Sequence, residues 1–356
     1  MSTASNGGGQ VVYRRGLFEP PAIGEMATAT KVVLYAALVF WAAIVLFPIY
    51  WLIITSFKDA AAVNGGPFFI PFVDYEPTMQ AWRDLFIVDY EDTLRAYFNS
   101  IVIALVSTAL SVLIGSMAAY ALSRVQYAPN LITILFFVLL LILTVVAVGV
   151  FGIDWRLAVA VAVALFFFLA RAVGRLYEAR LGNGDILFWI ISQRILAPVV
   201  VVVPIYMMFQ SAHMLDTHAA LIITYAVVNM PIVVWLMYDF FKSIPIDLEE
   251  SAQLDGATMA FTFRDIVLPL SRAGLAATTL LVMILAWNEY LLALFLSTSR
   301  AQTMPILVAA MNAGERGILW WTMSAVIIVM IIPVVVLAVL LQKYISKGLL
   351  VGAIKG

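Results

Sequence analysis

Polar side chains that could act on a solute stand inside long apolar stretches of this sequence. Gln193 and Arg194 form one such pair, and Asn288 and Glu289 form another. A charge at the centre of a membrane helix costs about 2.5–3.5 kcal/mol, so it faces protein or water rather than lipid. With Asn229, these residues could line a translocation path and hydrogen-bond a hydroxyl-rich solute. Alternatively, Arg194 pairs with Glu289 as a structural lock, and the two hypotheses are compatible.

No constellation of catalytic residues stands out elsewhere. The sequence has no G-x-x-x-x-G-K-[ST] phosphate loop and no H-E-x-x-H motif, so we expect it neither to bind nor to hydrolyse ATP. It also has no cysteine, which excludes a disulfide framework and Cys-based sites. His213 and His218 flank a short turn, but two ligands are too few for a metal site. We therefore expect no metal, no cofactor and no enzymatic activity in this chain.

The composition is that of a membrane protein. Hydrophobic residues make up 64% of the sequence, charged residues only 12%, and the mean hydropathy is +1.04. Soluble domains carry roughly 25% charged residues. The net charge of −1 leaves no basic excess for binding nucleic acid.

Eight apolar runs could cross a bilayer, whose core of about 30 Å needs about 20 helical residues. In lipid every backbone polar group must be paired within the chain, so each run is predicted to be an α-helix. The predicted fold class is an all-α polytopic membrane protein with about eight transmembrane helices. The runs cover residues 32–56, 98–122, 130–152, 156–171, 186–211, 218–241, 273–297 and 319–342.

Lys and Arg residues predict the orientation, because they favour the cytoplasmic side. With the N-terminus inside, thirteen of the 20 fall in the cytoplasm, six fall outside and Arg194 lies within a span. We therefore expect both termini in the cytoplasm. Residues 1–30 are predicted to be a cytoplasmic tail and residues 31–356 a transmembrane domain.

A charged segment, residues 245–269, separates two of the apolar runs. Pro245 suits a first helical position, and Gly256 suits a left-handed turn at the end of a helix. Thr258 could then cap a second helix that Pro269 stops. Because a charged helix-turn-helix cannot lie in hydrocarbon, it must stand in water and contact something there.

The residue types in this segment resemble the EAA loop of ABC importer permeases. The resemblance is carried by Glu250-Ser251-Ala252, Gly256, Ile266 and Leu268-Pro269, with Ser251 where the family usually has Ala. Trp287-Asn288-Glu289 and the ending Gly348-Leu349 … Lys355-Gly356 resemble the second permease subunit of maltose-type, carbohydrate-importing ABC transporters. Residues 1–30 and 129–184 lie outside the resemblance.

The resemblance implies the type I ABC importer permease fold and a place in the bacterial inner membrane, surrounded by lipid. It implies a homologous second permease subunit, an ATP-binding cassette ATPase dimer that binds ATP and Mg²⁺, and an external solute-binding protein as partners. The loop would be a coupling helix that docks into the ATPase and moves as a lever. The coupling residues would be Glu250, Ala252, Asp255, Gly256, Met259, Phe261 and Pro269.

Residues 129–184 are predicted to form an inserted helical hairpin that turns at Gly152-Ile153-Asp154-Trp155. Two added spans leave the orientation of the downstream chain unchanged. The apolar surface of the hairpin favours a lipid-facing position, and a site for another subunit is the alternative.

Two segments on the predicted outer side could contact the solute-binding protein. Residues 58–95 are rich in Gly, Pro and aromatics, for which an interfacial aromatic belt is the alternative. The loop from about Ser297 to Gly317 reaches that protein in the resembled family.

The sequence thus predicts the permease subunit of an ATP-driven importer for a sugar, glycoside or sugar alcohol. The rival is an ion- or proton-coupled secondary transporter with Arg194 and Glu289 as its relay. Such carriers commonly contain paired repeats, and the sequence shows no convincing internal repeat.

Overall fold

A computed structural model describes residues 26–173, 180–195, 198–311 and 319–353. Most of the predicted tail 1–30 and the ending residues Lys355 and Gly356 lie outside this part of the chain, as do residues 312–318 of the loop after Ser297. Within the described residues the fold is helical, and β-type pairing is limited to two isolated bridges. This confirms the predicted all-α class.

The helices of the first half are α1 Thr28–Thr55, α2 Ala60–Asn64, α3 Gln80–Arg83, α4 Tyr90–Arg124, α5 Leu131–Gly149, α6 Trp155–Val173, α7 Asn183–Ser192 and α8 Pro198–Ser211. Those of the second half are α9 His218–Lys242, α10 Asp247–Leu254, α11 Met259–Phe261, α12 Leu268–Leu270, α13 Arg272–Trp287, α14 Leu291–Leu296, α15 Met304–Ala310 and α16 Trp320–Ala353. Wide π-turns cover Asp84–Val88 and Thr262–Val267, and a 3₁₀ turn covers Gln193–Ile195.

The long apolar helices match the predicted spans. Among the described residues, α1, α4, α5, α9 and α16 are each long and apolar enough to cross a membrane. Helices α7 and α8 pass the same test as a pair bent by 88°, and Met259–Leu270 passes with α13 as a pair bent by 81°. The shortest predicted span falls on the apolar helix Arg156–Ala170 within α6.

The predicted span 273–297 is not one continuous helix. Helix α13 ends at Trp287, and α14 begins only at Leu291. The break has a local cause, because polar side chains at this point bond to backbone groups. Asn288 Nδ2 donates to the carbonyl of Ile284 at 2.8 Å, and Glu289 Oε1 accepts from the amide of Leu292 at 3.0 Å.

The chain divides into two compact units. The smaller contains Met1–Tyr90 and Met311–Val329, and the larger contains Glu91–Ala310 and Met330–Gly356. In the smaller unit, Asp59 caps α2 by accepting from the amide of Ala62 at 2.7 Å. Short helices therefore lie in the segment after α1.

Helices α4, α9 and α13 pack closely in the larger unit because small residues face the contacts. The hydroxyl of Ser111 donates to the carbonyl of Ala226 at 2.9 Å, which joins α4 to α9. A Cβ built on Gly115 would lie 2.7 Å from Val233, and one on Gly274 would lie 2.4 Å from the ring of Phe240. Small residues permit such approaches where lipid supplies no hydrophobic driving force between helices.

Helices α5 and α6 form a hairpin that packs mainly on itself. Gly152 turns the chain between them with a φ of +65°, and the rings of Phe137 and Phe166 meet at 5.3 Å. Leu140 is the one buried residue of α5, and most of the other residues on that helix are exposed and apolar. At the base, Asn183 Nδ2 donates to the carbonyls of Leu122 and of Val125, each at 2.7 Å.

Candidate functional site

The segment after α9 forms the helix-turn-helix that its sequence predicts. Gly256 takes a φ of +89°, and the hydroxyl of Thr258 accepts from the amide of Phe261 at 3.3 Å, so both residues turn and cap the chain as expected. The start of the first helix differs, because α10 begins at Asp247, two residues after Pro245. We call residues 245–269 the coupling loop, after the role that the resemblance implies.

Pro269 does not stop the second arm of the coupling loop, contrary to expectation. The π-turn Thr262–Val267 leads directly into α12, and Pro269 lies in the first turn of that helix. A proline is tolerated there because the amide of a first-turn residue has no intrahelical partner to lose. The helical path ends two residues later at Ser271, and α13 continues at an angle of 81°.

A buried charge network fastens α10, the first arm of the coupling loop, to the bundle. Glu249 is 3% exposed, and its carboxylate accepts from the hydroxyl of Tyr120 at 2.7 Å. Arg124 forms an ion pair with it, donating from Nε at 2.6 Å. Arg124 Nη2 also donates to the carbonyls of Phe241 at 3.0 Å and Ile244 at 3.2 Å. The network therefore joins the C-terminal ends of α4 and α9 to α10.

Aromatic packing fastens the second arm of the coupling loop, from α11 through the π-turn to α12, to the same ends of α4 and α9. The ring of Phe263, in the π-turn, lies 4.8 Å from that of Tyr120 and 5.9 Å from that of Phe241. Tyr120 thus contacts both arms, through its hydroxyl and through its ring. A segment held on both sides in this way must move together with α4 and α9.

The outer face of the coupling loop carries apolar side chains next to carboxylates. Met259 and Phe261, both predicted coupling residues, are 54% and 48% exposed, and Leu254 is 89% exposed. Glu250 and Asp255 are exposed as well, while Ala252 is half-buried. Sequence analysis missed Leu254, because one Leu at the end of a helix does not reveal its exposure.

Three of the five predicted path residues line a cleft of about 420 Å³ between α8, α9 and the α13–α14 break, and a fourth, Asn229, contacts one of them. Gln193, Arg194 and Glu289 line it. Arg194 Nη2 donates to Asn229 Oδ1 at 3.0 Å, and Asn229 is buried. No ion pair within 4 Å joins Arg194 to Glu289, so in this structure Asn229 is the partner of the guanidinium.

Asn288, the fifth predicted path residue, lies apart from this group. Its side chain is exposed, bonds to its own helix at Ile284 and does not line the cleft. Tyr225 lies close to the cleft, and its hydroxyl donates to the carbonyl of Glu289 at 3.3 Å. This bond holds the broken backbone beside α9.

At the other end of α9, Asp216 organises the loop after α14. Its carboxylate accepts from the amides of Thr298, Arg300 and Ala301, each at 3.0 Å. Burial raises the pKa of Asp216, but the hydrogen bonds from Ala301, Arg300 and Thr298 outweigh it and hold that pKa well below its ordinary value. Asp216 therefore stabilises the fold above its unfolded pKa, and this stabilisation is lost as the pH falls through the folded value.

His213 and His218, near the start of α9, have different surroundings. His218 Nε2 lies 2.6 Å from Asn99 Oδ1, and Asn99 Nδ2 donates to the carbonyls of Arg300 and Gln302 at 2.8 and 2.9 Å. His213 takes a φ of +54° in the turn. In the described part of the chain no three His, Cys, Asp or Glu residues cluster as metal ligands would.

Comparison with known proteins identifies the family to which this chain belongs. The family described as binding-protein-dependent transport system inner membrane component matches residues 184–351. The trehalose/maltose transport system permease protein MalG of Thermococcus litoralis is 30% identical over 327 residues, which cover 92% of this chain and 97% of that protein. The chain belongs to this family of ABC importer permeases.

Further similarities agree. The permease is 29% identical to the sulfoquinovosyl glycerol transport system permease protein SmoH of Agrobacterium fabrum, with 87% of this chain and 89% of SmoH covered. It is 27% identical to the trehalose transport system permease protein SugB of Mycobacterium tuberculosis, with 87% and 93% covered. A solved bacterial ABC transporter that imports the acidic polysaccharide alginate matches with a TM-score of 0.56 and 21% identity, covering 88% of this chain and 96% of that one.

These findings confirm the predicted resemblance to maltose-type importer permeases and the type I permease fold. The permease is a multi-pass inner-membrane transport subunit and not an enzyme. The rival interpretation as a secondary transporter is not favoured. The family match begins at residue 184, where the sequence resumes its resemblance after the hairpin.

Proposed function

We propose that the permease carries a sugar, glycoside or sugar alcohol across the inner membrane in an ATP-driven importer. The relatives that support this substrate class are named for the transport of trehalose or maltose, of trehalose, and of sulfoquinovosyl glycerol. The polar groups of the cleft fit the same class, because a guanidinium, an amide and a carboxylate can donate to and accept from hydroxyl groups.

The coupling loop supplies the connection to ATP hydrolysis. Its outer face presents Leu254, Met259 and Phe261 between exposed carboxylates, while its inner face is held by Glu249 and Phe263. An apolar anchor with a polar rim is the usual composition of a protein docking surface. This single observation, a docking face on a firmly held lever, carries the proposal.

The assembly then contains this permease, a homologous second permease, an ATPase dimer that binds ATP and Mg²⁺, and an external solute-binding protein. The coupling loop and both termini stand in the cytoplasm, as the distribution of Lys and Arg predicts. The loop that Asp216 organises lies at the opposite end of α9, where a solute-binding protein would dock. When the ATPase dimer closes, it moves the coupling loop and so switches the bundle between outward-open and inward-open states.

Gly256→Val is expected to abolish uptake while expression survives. A φ of +89° costs a β-branched residue about 1–3 kcal/mol of strain, although nothing lies within 4 Å of the added Cβ. The strain is relieved by changing the angle between α10 and α11, which misaligns the docking face. Uptake and solute-stimulated ATP hydrolysis are measured with the assembled importer in proteoliposomes.

The matched control for this variant is Gly184→Val, because Gly184 also has open space around its Cβ but no positive φ. We expect the control to transport at the wild-type rate. Wild-type uptake by Gly256→Val would contradict the proposal that the turn at Gly256 sets the angle of the docking face. Absence of solute-stimulated ATP hydrolysis in the wild-type assembly would contradict the proposed function itself.

Arg194→Met is expected to reduce uptake about tenfold or more and to leave basal ATP hydrolysis unchanged. The variant keeps an unbranched, flexible side chain but removes the guanidinium donors, and a hydrogen bond to a charged group is worth about 1.5–3 kcal/mol. Every 1.4 kcal/mol corresponds to about a tenfold change. Asn288→Ala, next to the cleft but outside its lining, is expected to transport nearly as wild type. Equal losses in both variants would argue against the cleft as the path.

A further inference from the structure

A second cavity lies in the smaller unit, where α1 ends and α16 begins. Its volume is about 360 Å³, and it has no part in the proposed transport path. Trp51 and Trp320 contribute to its walls, and Lys58, Thr55 and Ser324 are its polar members. The other lining residues are Leu52, Val63, Gly66 and Met323, so most of the surface is apolar.

Lys58 is a buried cation without an anionic partner. It is 2% exposed, and its ammonium donates to the carbonyl of Phe68 at 2.7 Å. The ammonium lies 4.5 Å from the centre of the Trp51 ring and 5.1 Å from that of Tyr75. No carboxylate is within 4 Å of it among the described residues, because Asp74 is engaged by backbone amides.

Such an arrangement leaves the charge incompletely compensated. The attraction between aromatic rings and a cation is weaker than the cost of burying an ion. Burial accordingly lowers the pKa of Lys58, and Asp74 offsets only part of this effect. An anion entering the cavity would supply the missing charge, and two ammonium protons are available to it.

A hydroxyl group at the cavity also lacks a partner. Thr55 Oγ1 is buried without a hydrogen bond, and Thr55 is more than nine-tenths buried. Ser324, which is 3% exposed, brings a second hydroxyl group to the lining. Since buried polar groups are nearly always hydrogen-bonded, these groups and Lys58 together indicate a polar ligand group at one end of the cavity.

The position of the cavity indicates that the ligand is an amphiphile. Helices α1 and α16 are both long enough to span the membrane, and the cavity lies where α1 leaves its apolar run. Tryptophans such as Trp51 and Trp320 are enriched at the level of lipid headgroups. A sugar would place most of its hydroxyl groups against Leu52 and Met323, whereas an acyl chain fits them.

We infer that this cavity binds an anionic glycerophospholipid, with the phosphate at the Lys58 ammonium and an acyl chain along Trp320 and Met323. The phosphate oxygens would accept from Lys58 and from the hydroxyl of Ser324. The bound lipid would connect the end of α1 to the start of α16.

Native mass spectrometry of the purified full-length permease tests the inference. Phosphatidylglycerol and phosphatidylcholine with identical acyl chains are added to the detergent-solubilised protein. We expect the wild type to retain phosphatidylglycerol about tenfold better, because its phosphate keeps a net negative charge beside Lys58, whereas the choline ammonium of phosphatidylcholine offsets that charge and is repelled by the lysine. Lys58→Met is expected to abolish this preference and Lys58→Arg to keep it. Equal retention of the two lipids by the wild type overturns the inference.

Control variants separate the site from general effects of charge and folding. Lys242→Met removes an exposed basic residue at the end of α9 and is expected to keep the preference. Val63→Phe fills the cavity without changing its charge and is expected to lose phosphatidylglycerol, so the test does not rest on Lys58 alone. Inorganic phosphate is expected not to displace the lipid. Displacement by phosphate, or undiminished binding by both Lys58→Met and Val63→Phe, overturns the assignment.

Discussion

Replacing Glu249 by Gln is expected to destabilise the permease by about 3–5 kcal/mol, the usual effect of removing one partner from a buried ion pair. The carboxylate is held by Tyr120 and Arg124, and both charged side chains of the pair are nearly inaccessible to water. The variant leaves the guanidinium of Arg124 buried without its counter-charge. Thermal unfolding of the detergent-solubilised protein measures the effect as a lower melting temperature.

The neighbouring acid provides a matched control. Glu250 stands one residue further along the same helix and is exposed, so Glu250→Gln is expected to leave the melting temperature within the range of ordinary surface substitutions, about 0.5 kcal/mol. We expect it instead to weaken the coupling of ATP hydrolysis to uptake, because it alters the docking face. Equal melting temperatures for Glu249→Gln and the wild type would contradict the buried network.

A double variant separates the contribution of the buried ion pair to the stability of the permease from its contribution to uptake. Buried ion pairs can often be replaced by apolar residues of similar volume without loss of stability. Arg124→Met with Glu249→Met is therefore expected to recover most of the melting temperature. Because Arg124 also bonds the carbonyls of Phe241 and Ile244, the double variant loses the connection to α9, and uptake is expected to stay reduced.

Gly274→Ala is expected to destabilise the bundle by about 1–3 kcal/mol, the usual cost of overpacking. The added methyl group would lie 2.4–2.7 Å from three atoms of the Phe240 ring, including the atom that joins the ring to its side chain. The ring cannot move away by rotating its far end, so α9 and α13 must separate where the coupling loop joins them. The melting temperature measures this effect.

Two variants test whether that clash is the cause. Gly149→Ala adds the same methyl group to α5 where nothing lies within 4 Å, and it is expected to be neutral or slightly stabilising because Ala favours helix. Phe240→Leu combined with Gly274→Ala is expected to recover part of the lost stability. If the single variant Gly274→Ala melts at the wild-type temperature, the close packing of α9 on α13 is wrong.

Properties that depend on neighbouring residues were predictable from sequence. The length and apolarity of a run are sufficient to predict a membrane helix, and the predicted spans fall on helices, although the span 273–297 is interrupted at Asn288. Gly256 and Thr258 were predicted to turn and cap the coupling loop because φ preference and capping are local properties. The motif around Glu250 was sufficient to predict the family to which the chain belongs.

Properties that depend on distant residues were decided by the tertiary structure. Glu249 and Glu250 are the same residue type side by side, and only the approach of Arg124, 125 positions earlier in the chain, makes the first buried and the second exposed. Asn288 and Asn229 were predicted to share one role, but α13 ends at the first, whereas Arg194 reaches the second. Sequence determines which side chains can carry charge or turn the chain, and packing determines which of them meet, because desolvation and hydrogen bonding act between groups brought together only by folding.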